Sequence, residues 1–256
     1  MVKVGETYVH GYHRRANERL EDQAAALVEL LHSDTAYPDG SLVLEVGCGV
    51  GAQTVTLARR SPNARFVSVD VSADSVAEAR RRATEARLTN VGFQAADIFA
   101  LPFTTASFDH VFVCFLLEHV SDPAGALASL DRLLKPGGTI TVIEGDHGST
   151  YFRPDSAAAH AAIQCQIALQ FQAGGNALIG RQLYPLMIDA GFDVVRVTPR
   201  MVYVDSSLPD LVDGFTRKTF TAMIEGAGVH DLYRTTESDG VFCYTFFKGV
   251  GEKRHP

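Results

Sequence analysis

The strongest constraint on the fold of this chain is a glycine-rich turn that directly follows a short apolar run. The segment LEVGCGVG covers residues 44–51 and places Gly47, Gly49 and Gly51 within five positions. Each glycine costs conformational entropy when the backbone is ordered, but it lets the backbone approach a ligand closely. A glycine-rich turn between a strand and a helix commonly points helix N–H groups at a bound anion. The turn therefore predicts a strand–turn–helix unit with a ligand at the turn.

Strand-like and helix-like segments alternate on both sides of this turn. Strands are predicted at 41–46, 65–70, 91–96, 109–114 and 139–143. Helices are predicted at 16–31, 51–60, 73–87 and near 123–134, with further helices at 154–173 and 180–190. Two more strands, at 192–198 and 241–248, complete the pattern, and the terminal one is expected to be antiparallel. This alternation indicates an α/β fold: a Rossmann-like, doubly wound sheet of about seven strands with helices on both faces.

The composition of the chain limits its class and its partners. At 256 residues with 46% hydrophobic and 21% charged residues, the sequence is typical of one globular domain covering residues 1–256. The formal net charge of −7 argues against nucleic acid as a partner. Neither a signal-like apolar stretch nor a run long enough to cross a bilayer is found, so we expect a cytoplasmic protein without membrane contact.

Three acidic positions distinguish the turn from a dinucleotide site. The spacing Gly47-x-Gly49-x-x-Ala52 satisfies the loose dinucleotide fingerprint, which is a weak signal alone. Glu45 lies inside the preceding strand end, where its carboxylate would repel a pyrophosphate. Asp70 ends the second strand, where a carboxylate can accept both hydroxyls of a ribose. Asp97 ends the third strand and can accept an adenine amino group, while the adjacent Ile98 offers an apolar face to the ring.

Together these segments resemble the class I S-adenosylmethionine-dependent methyltransferases. The resemblance covers about residues 40–145 through the motifs VLEVGCGVG, VSVDVS, AADIFALPF, FDHVFVCFLLEHV and LKPGGTI. It implies S-adenosylmethionine as cofactor, S-adenosylhomocysteine as product and a small-molecule acceptor, with no metal. The cofactor contacts that it implies are Glu45, Gly47, Cys48, Gly49, Asp70, Val71, Asp97, Ile98 and Phe115. Phe115 is expected to contact the cofactor amino group through its backbone.

The flanking segments resemble a narrower group. YVHGYHRRANERLEDQA, VIEGDHGS and IGRQLYPLMIDAGF are similar to bacterial small-molecule methyltransferases of secondary metabolism, which include indole C3-methyltransferases and the teleocidin-pathway C-methyltransferase. This likeness implies methylation of an aromatic or indole carbon. Alternatives are an O- or N-methyltransferase, a non-catalytic cofactor-binding module and a nicotinamide-dependent oxidoreductase. A homo-oligomer is also left open.

The resemblance also assigns functions to three stretches of the chain. Residues 1–35 would form a lid segment and a helix, and residues 40–145 the cofactor-binding core. Residues 150–240 would form helical inserts over the substrate, together with the last strands. Aromatic and apolar side chains of these inserts either roof the acceptor or form the core beneath it; they are Phe171, Phe215, Phe220 and Met223.

Candidate catalytic residues follow the fifth predicted strand. The segment Glu144-Gly-Asp146-His147 places three ionisable side chains within four residues. His147 is a candidate base near neutral pH, with Glu144 fixing its tautomer or sharing its proton. Alternatively, Asp146 caps the turn and His147 is simply exposed. A metal site is also conceivable here, but nothing in the sequence supplies further ligands.

Other candidates lie farther away along the chain. Tyr12 is a third catalytic candidate: the N-terminal segment that holds it, with Tyr8, His10 and His13, is either a lid over the cofactor or a frayed tail. After the fourth strand, Glu118 and His119 are either a structural cap or part of the catalytic group. Arg181 and Tyr184 either line the acceptor site or lie on a helix surface.

Overall fold

The computed structural model describes residues 27–221 and 240–255, with the backbone alone described at 217–221. Its strands are β1 (Leu42–Val46), β2 (Arg65–Asp70), β3 (Val91–Ala95), β4 (Phe108–Cys114), β5 (Leu134–Arg153), β6 (Phe192–Asp205) and β7 (Val241–Lys253). Its α-helices are α1 (Ala52–Arg60), α2 (Ala73–Glu85), α3 (Pro123–Leu133), α4 (Ala157–Gln172) and α5 (Leu183–Asp189). Short 3-10 turns cover Ile98–Ala100, Leu117–His119 and Ile179–Gln182, and a helical turn at Pro209–Leu211 leads into a π-helix at Val212–Thr221.

The strands form one mixed sheet in the order β3-β2-β1-β4-β5-β7-β6. The first five strands pair in parallel, whereas β7 is antiparallel to both of its neighbours. This confirms the predicted Rossmann-like α/β fold with an antiparallel terminal strand. Because the chain turns from β1 towards β3 on one side and towards β5 on the other, a crevice opens beyond the carboxyl ends of β1 and β4. The glycine turn lies at this switch point.

Apolar residues on both faces of the central strands build the core. In β1, Val43 packs in the cluster on one face of the sheet, and Leu44 and Val46 pack in the cluster on the other face. Such two-sided burial is what a parallel strand between two helical layers requires. Side-chain caps begin the flanking helices, with Ser72 bonded to Ser75 N and Asp122 bonded to Gly125 N. The rigid sheet thereby fixes the positions of the loops at its carboxyl edge.

Several element boundaries differ from the sequence-based predictions. Strand β5 was expected at 139–143 but runs through Glu144 to Arg153, because this stretch continues to pair with β7 past an irregularity between Asp146 and Tyr151. Strands β6 and β7 are likewise longer than predicted, since they pair with each other along most of their length. The helix predicted at 180–190 divides into a 3-10 turn and α5. Of the helix predicted at 16–31, the structure describes the part from residue 27, and this part is helical through residue 32.

Candidate active site

The glycine turn forms an open cradle at the end of β1. Gly47, Gly49 and Gly51 have φ angles of 76°, 50° and 81°, in the left-handed region that favours glycine. A Cβ atom on Gly47 would lie 3.0 Å from the side chain of Leu116, and one on Gly51 would lie 3.0 Å from Ala79. A Cβ on Gly49 would have no described atom within 4 Å. Packing therefore explains the outer two glycines, whereas Gly49 faces the space where a ligand would lie.

Asp70 links the glycine turn to the end of β2. Its Oδ2 accepts a hydrogen bond from Gly49 N at 2.9 Å, and its Oδ1 accepts one from Ser72 N at 2.9 Å. Partial burial raises the pKa of the Asp70 carboxyl group, and these N–H donors oppose the rise. Each carboxylate oxygen can accept a second hydrogen bond. The side chain can therefore still receive two neighbouring hydroxyl groups, as a ribose presents them.

Glu45 and Cys48 lie beneath the cradle. The buried Glu45 accepts hydrogen bonds at Oε2 from Thr54 Oγ1 at 2.7 Å and from Ser68 Oγ at 2.6 Å. Burial raises the pKa of Glu45 to about 7. The bonds tie β1 to α1 and β2, so Glu45 supports the turn from below. Cys48 is also buried, and burial raises the pKa of its thiol.

Four more predicted cofactor contacts lie at the same edge of the sheet. Asp97 accepts a bond from Phe99 N at 2.9 Å, the adjacent Ile98 is buried, and Val71 is exposed just after β2. Phe115 follows β4 with a φ angle of 55° and donates its N–H to Ile143 O at 2.9 Å. The backbone group of Phe115 that can accept a bond from an amino group is its carbonyl oxygen. Glu45 and Cys48 are thus buried below the turn, the other predicted positions lie at the carboxyl edge of the sheet, and all nine cofactor contacts stay predictions.

Glu144 is buried within β5 and holds the loop that follows β4. Its Oε1 accepts hydrogen bonds from Leu116 N at 3.0 Å and Leu117 N at 2.7 Å. Burial, with the nearby Glu118 carboxylate adding to it, raises the pKa of Glu144 well above its usual range. Since Leu116 also packs against Gly47, Glu144 fixes one wall of the cradle. The contacts of Glu144 Oε1 are with this loop, and the expected partnership of Glu144 with His147 stays a prediction.

His147 lies in the interior of the protein and not at an exposed turn. Its side chain is 3% exposed, so the alternative of an exposed histidine is wrong. The imidazole packs edge-on against Tyr244, with ring centroids 5.6 Å apart, and its Nε2 lies 3.9 Å from Glu118 Oε2. Burial lowers the pKa of His147, while the charge of Glu118 opposes this shift most strongly. Glu118 is therefore the carboxylate that the structure places at ion-pair distance from this ring.

Asp146 and Arg181 form a neighbouring pair. Arg181 donates to both carboxylate oxygens of buried Asp146, with distances of 2.6 Å from Nε and 2.8 Å from Nη2. Asp146 Oδ1 also accepts a bond from Gly148 N at 2.9 Å, which agrees with the predicted turn cap. Arg181 thus joins the 3-10 turn before α5 to β5, and its lining of the acceptor site stays a prediction.

The predicted acceptor roof is only partly described. Phe215 is buried against Phe242, Tyr244 and Phe246, which matches the alternative that it forms core. Phe171 is 75% exposed on α4, and Tyr184 is also exposed. Other predicted residues lie outside the described side chains, namely Tyr8, His10, Tyr12, His13, Phe220 and Met223. Their roles remain predictions.

Sequence reasoning gave too little weight to Glu118 and missed Gln170 and Tyr244. All three are buried around His147 or its carboxylate neighbour. The position of Glu118 directly after β4 was a usable signal, because the carboxyl ends of β4 and β5 adjoin in a parallel pair. Gln170 and Tyr244 come from α4 and β7, and no local pattern marks them.

Two further observations concern the rival classes. A nicotinamide-dependent oxidoreductase would need a tyrosine and, four residues later, a lysine that act together in hydride transfer. Tyr244 and Lys248 have this spacing, but they lie in the extended strand β7, where it separates them by roughly 13 Å. Lys248 is paired with Asp34 at 2.6 Å instead. Within residues 27–221 and 240–255, no cluster of ligating side chains suited to a metal ion is found. No helix in this described part combines the length and apolarity needed to span a membrane.

Comparison with known proteins finds a similarity to a methyltransferase domain over part of the chain. Residues 43–138 match the family model of a methyltransferase domain. The YcgJ protein of Bacillus subtilis shares the fold, with a TM-score of 0.60 and 17% identity over 91% of this chain and 99% of that one. Residues 43–138 are thus similar to a methyltransferase domain, and the structural match shows a shared fold.

Three curated relatives are similar to parts of this chain, and two of them are named as methyltransferases. An uncharacterized 37.1 kDa protein in transposon TN4556 of Streptomyces fradiae is 38% identical over 73% of this chain and 54% of its own length. A demethylmenaquinone methyltransferase of Thermus thermophilus is 39% identical over 40% of this chain and 46% of its own length. The 27-O-demethylrifamycin SV methyltransferase of Amycolatopsis mediterranei is 30% identical over 54% and 51%. This chain thus spans about half the length of these relatives.

Proposed function

We propose that this protein transfers a methyl group from S-adenosylmethionine to a small-molecule acceptor. The observation that carries the proposal is the cradle at the glycine turn: Gly49 faces open space while its N–H is held by Asp70. A branched side chain at position 49 would fill that space. The side chains suit the cofactor chemically, because the carboxylates of Asp70 and Asp97 can accept hydrogen bonds from its hydroxyl and amino groups.

Different residues of this chain would bind different parts of the cofactor. Asp70 accepts the ribose hydroxyls, Asp97 accepts the adenine amino group, and Ile98 packs on the adenine ring. The Phe115 carbonyl accepts a bond from the amino group of the methionine part. When bound, the cofactor supplies a methyl group on a sulfonium sulfur, which keeps the electron pair of the broken bond as the acceptor takes the methyl. The remaining tasks of the protein are to orient the acceptor, exclude water and remove a proton.

His147 is our proposed proton acceptor. Its Nε2 lies 3.9 Å from Glu118 Oε2, so the ring, once charged, would be offset by the Glu118 carboxylate. Tyr244 orients the ring by its edge-on contact. Glu144 acts through the loop that it holds next to Gly47 and not by touching the imidazole. Tyr12 is retained as a second proposed catalytic residue from the sequence.

For the acceptor we propose an aromatic or indole carbon of a natural product. Carbon methylation of such a ring requires loss of a ring proton, and a base beside the crevice would serve this requirement. The alternative is an O- or N-methyltransferase on another small apolar metabolite, and the relative named for 27-O-demethylrifamycin favours the O-linked version. A cytoplasmic location and the absence of a nucleic-acid partner are part of the same proposal.

Binding and turnover experiments separate these possibilities. S-adenosylhomocysteine should raise the melting temperature of the protein, since it binds the folded state alone, whereas NAD should not. The protein is then incubated with methyl-labelled cofactor and a panel of indoles, phenols and amines, and the labelled atom is located by NMR. Label on a ring carbon supports carbon methylation, and label on oxygen or nitrogen supports the alternative. Cofactor binding without turnover on any acceptor would indicate a non-catalytic module, and stabilisation by NAD alone would overturn the proposal.

A further inference from the structure

We infer that Glu118 is the positioning residue for His147: it holds the imidazole with Nε2 inward and stabilises the ring when it gains a proton. This inference rests on the proposed function, because His147 is the proposed base. The Glu118 side chain leaves the 3-10 turn after β4 and is almost completely buried. Its Oε2 lies 3.9 Å from His147 Nε2, and its Oε1 lies 3.4 Å from His119 Nε2. One carboxylate thus adjoins two imidazoles.

Helix α4 fixes the position of Glu118. Gln170 Nε2 donates to Glu118 Oε2 at 3.2 Å and to the main-chain carbonyl of the same residue at 3.0 Å. Asn176 N donates to that carbonyl as well, at 2.8 Å. Both the backbone and the carboxylate of Glu118 are therefore held by a neighbouring element. A residue that only capped its own turn would not need this support from α4.

The charges around His147 make Glu118 its main electrostatic partner. Glu118 faces the ring from the turn after β4, Asp146 from β5, and His119 from beside Glu118, while Tyr244 packs on the ring from β7. Asp146 is already paired with Arg181, which offsets its charge. Burial favours the neutral form of the neighbouring Glu144, whose Oε1 is bonded to backbone N–H groups. Among the carboxylates of the described residues near this ring, Glu118 is therefore the one left to stabilise an imidazolium.

The decisive comparison uses two matched substitutions, Glu118→Gln and Glu144→Gln. Both exchange a buried carboxyl group of the same cluster for an amide of nearly the same shape. We expect Glu118→Gln to lower the pKa of His147 by about 1, as loss of an adjacent opposite charge does. Turnover at neutral pH should fall roughly tenfold, because the base becomes weaker. Glu144→Gln should leave the pKa of His147 in place. The pKa is measured by NMR titration, with the His147 signal assigned by its absence in His147→Gln.

The outcomes can be separated from failure of the proposed function. The titration of His147 requires no methyl transfer, whereas turnover and S-adenosylhomocysteine binding by the unaltered protein test the function itself. An unchanged pKa of His147 in folded Glu118→Gln protein would overturn the inference, and so would an equal shift in Glu144→Gln. If Glu118→Gln does not fold, Glu118→Asp retains the charge at a longer distance. A smaller fall in the pKa of His147 then supports the inference, and no change contradicts it.

Discussion

The backbone N–H of Gly49 donates a hydrogen bond to Oδ2 of Asp70 at 2.9 Å, which joins the turn after β1 to the end of β2. The same carboxylate is the proposed acceptor for the ribose hydroxyls. The Asp70 side chain would therefore both fix the conformation of the glycine turn and bind the ribose of the cofactor. Because the bond is formed by the protein alone, the cradle is set before a ligand enters, and less ordering is required on binding.

Asp70→Ala should weaken S-adenosylhomocysteine binding by roughly ten- to a hundredfold, since hydrogen bonds to a charged group contribute about 1.5–3 kcal/mol. Calorimetric titration measures the change. The matched control is Asp109→Asn: Asp109 accepts a bond from Leu42 N and pairs with Lys135, at the opposite edge of the sheet. That variant should lower the melting temperature but keep the affinity. Equal affinities of Asp70→Ala and the unaltered protein would contradict the ribose assignment.

Gly49→Val should abolish cofactor binding while the protein remains folded. The new side chain would enter the open space of the cradle, and the φ angle of 50° adds backbone strain. Gly40→Val is a matched control, because Gly40 has a φ of 79° and likewise no described atom within 4 Å of a Cβ, but it precedes β1 at the other edge of the sheet. Both variants carry similar strain, so a fall in thermal stability is expected of each. Loss of binding in both, or in neither, would show that Gly49 does not line the ligand site.

The central strands and the glycine turn were predictable because their signals are local. An apolar run, a cluster of glycines and an acidic residue at a strand end each lie within a few neighbouring positions, and all mark the same edge of a parallel sheet. The length of β5 was not predictable in this way. Glu144 and Asp146 make the end of that strand polar, which favours a loop. Contacts with Leu116, Leu117 and Arg181, all distant in sequence, hold the Glu144 and Asp146 side chains within the sheet.

The partner of His147 was not predictable for the same reason. Sequence proximity favoured Glu144, which lies in the same strand as His147. Glu144 lies in the same buried cluster, but its Oε1 is bonded to Leu116 N and Leu117 N. Glu118 reaches His147 because β4 and β5 are neighbouring parallel strands, and this relationship depends on the sheet order. The alternative that His147 is exposed is wrong, because the ring is buried and packs against Tyr244 of β7.

His32 should make the stability of the protein fall in mild acid. It is buried with Nε2 at 2.6 Å from Gln53 Oε1, and burial lowers its pKa from 6.5 to about 4. Above pH 6.5, the pKa of histidine in the unfolded chain, both states hold a neutral His32. As the pH falls from 6.5 to 4, the unfolded chain takes up a proton that the folded protein does not, so the free energy of unfolding decreases. The loss is on the order of 3 kcal/mol. Urea unfolding at several pH values measures it.

A comparison with His32→Gln isolates this contribution from that of the carboxyl groups. The glutamine does not titrate, so the free energy of unfolding of the variant should fall less steeply between pH 6.5 and 4. Parallel curves for the two proteins over this window would rule out a buried neutral His32. The variant retains a polar group near Gln53, which limits the change in packing.

His147→Gln should lower turnover by roughly a hundredfold or more, as loss of a general base commonly does. Affinity for S-adenosylhomocysteine should change little, because the proposed cofactor contacts are made by other residues. A base acts in its neutral form, so turnover of the unaltered protein should rise with pH through the pKa of His147. Burial lowers that pKa, which places the acid limb below about pH 6.5. The pH dependence of turnover in both proteins measures the limb.

The control for this last prediction is His160→Gln. His160 lies on α4, is exposed and pairs with Asp155 at 2.7 Å, so its loss should preserve both turnover and the acid limb. If His147→Gln keeps full turnover and the acid limb of the unaltered protein, His147 does not take the proton. Catalysis would then pass to Tyr12, or would need no base, since an acceptor that becomes acidic during the reaction can lose its proton to water. If the acid limb of the pH dependence of turnover disappears in His147→Gln but not in His160→Gln, His147 is the residue that takes the proton.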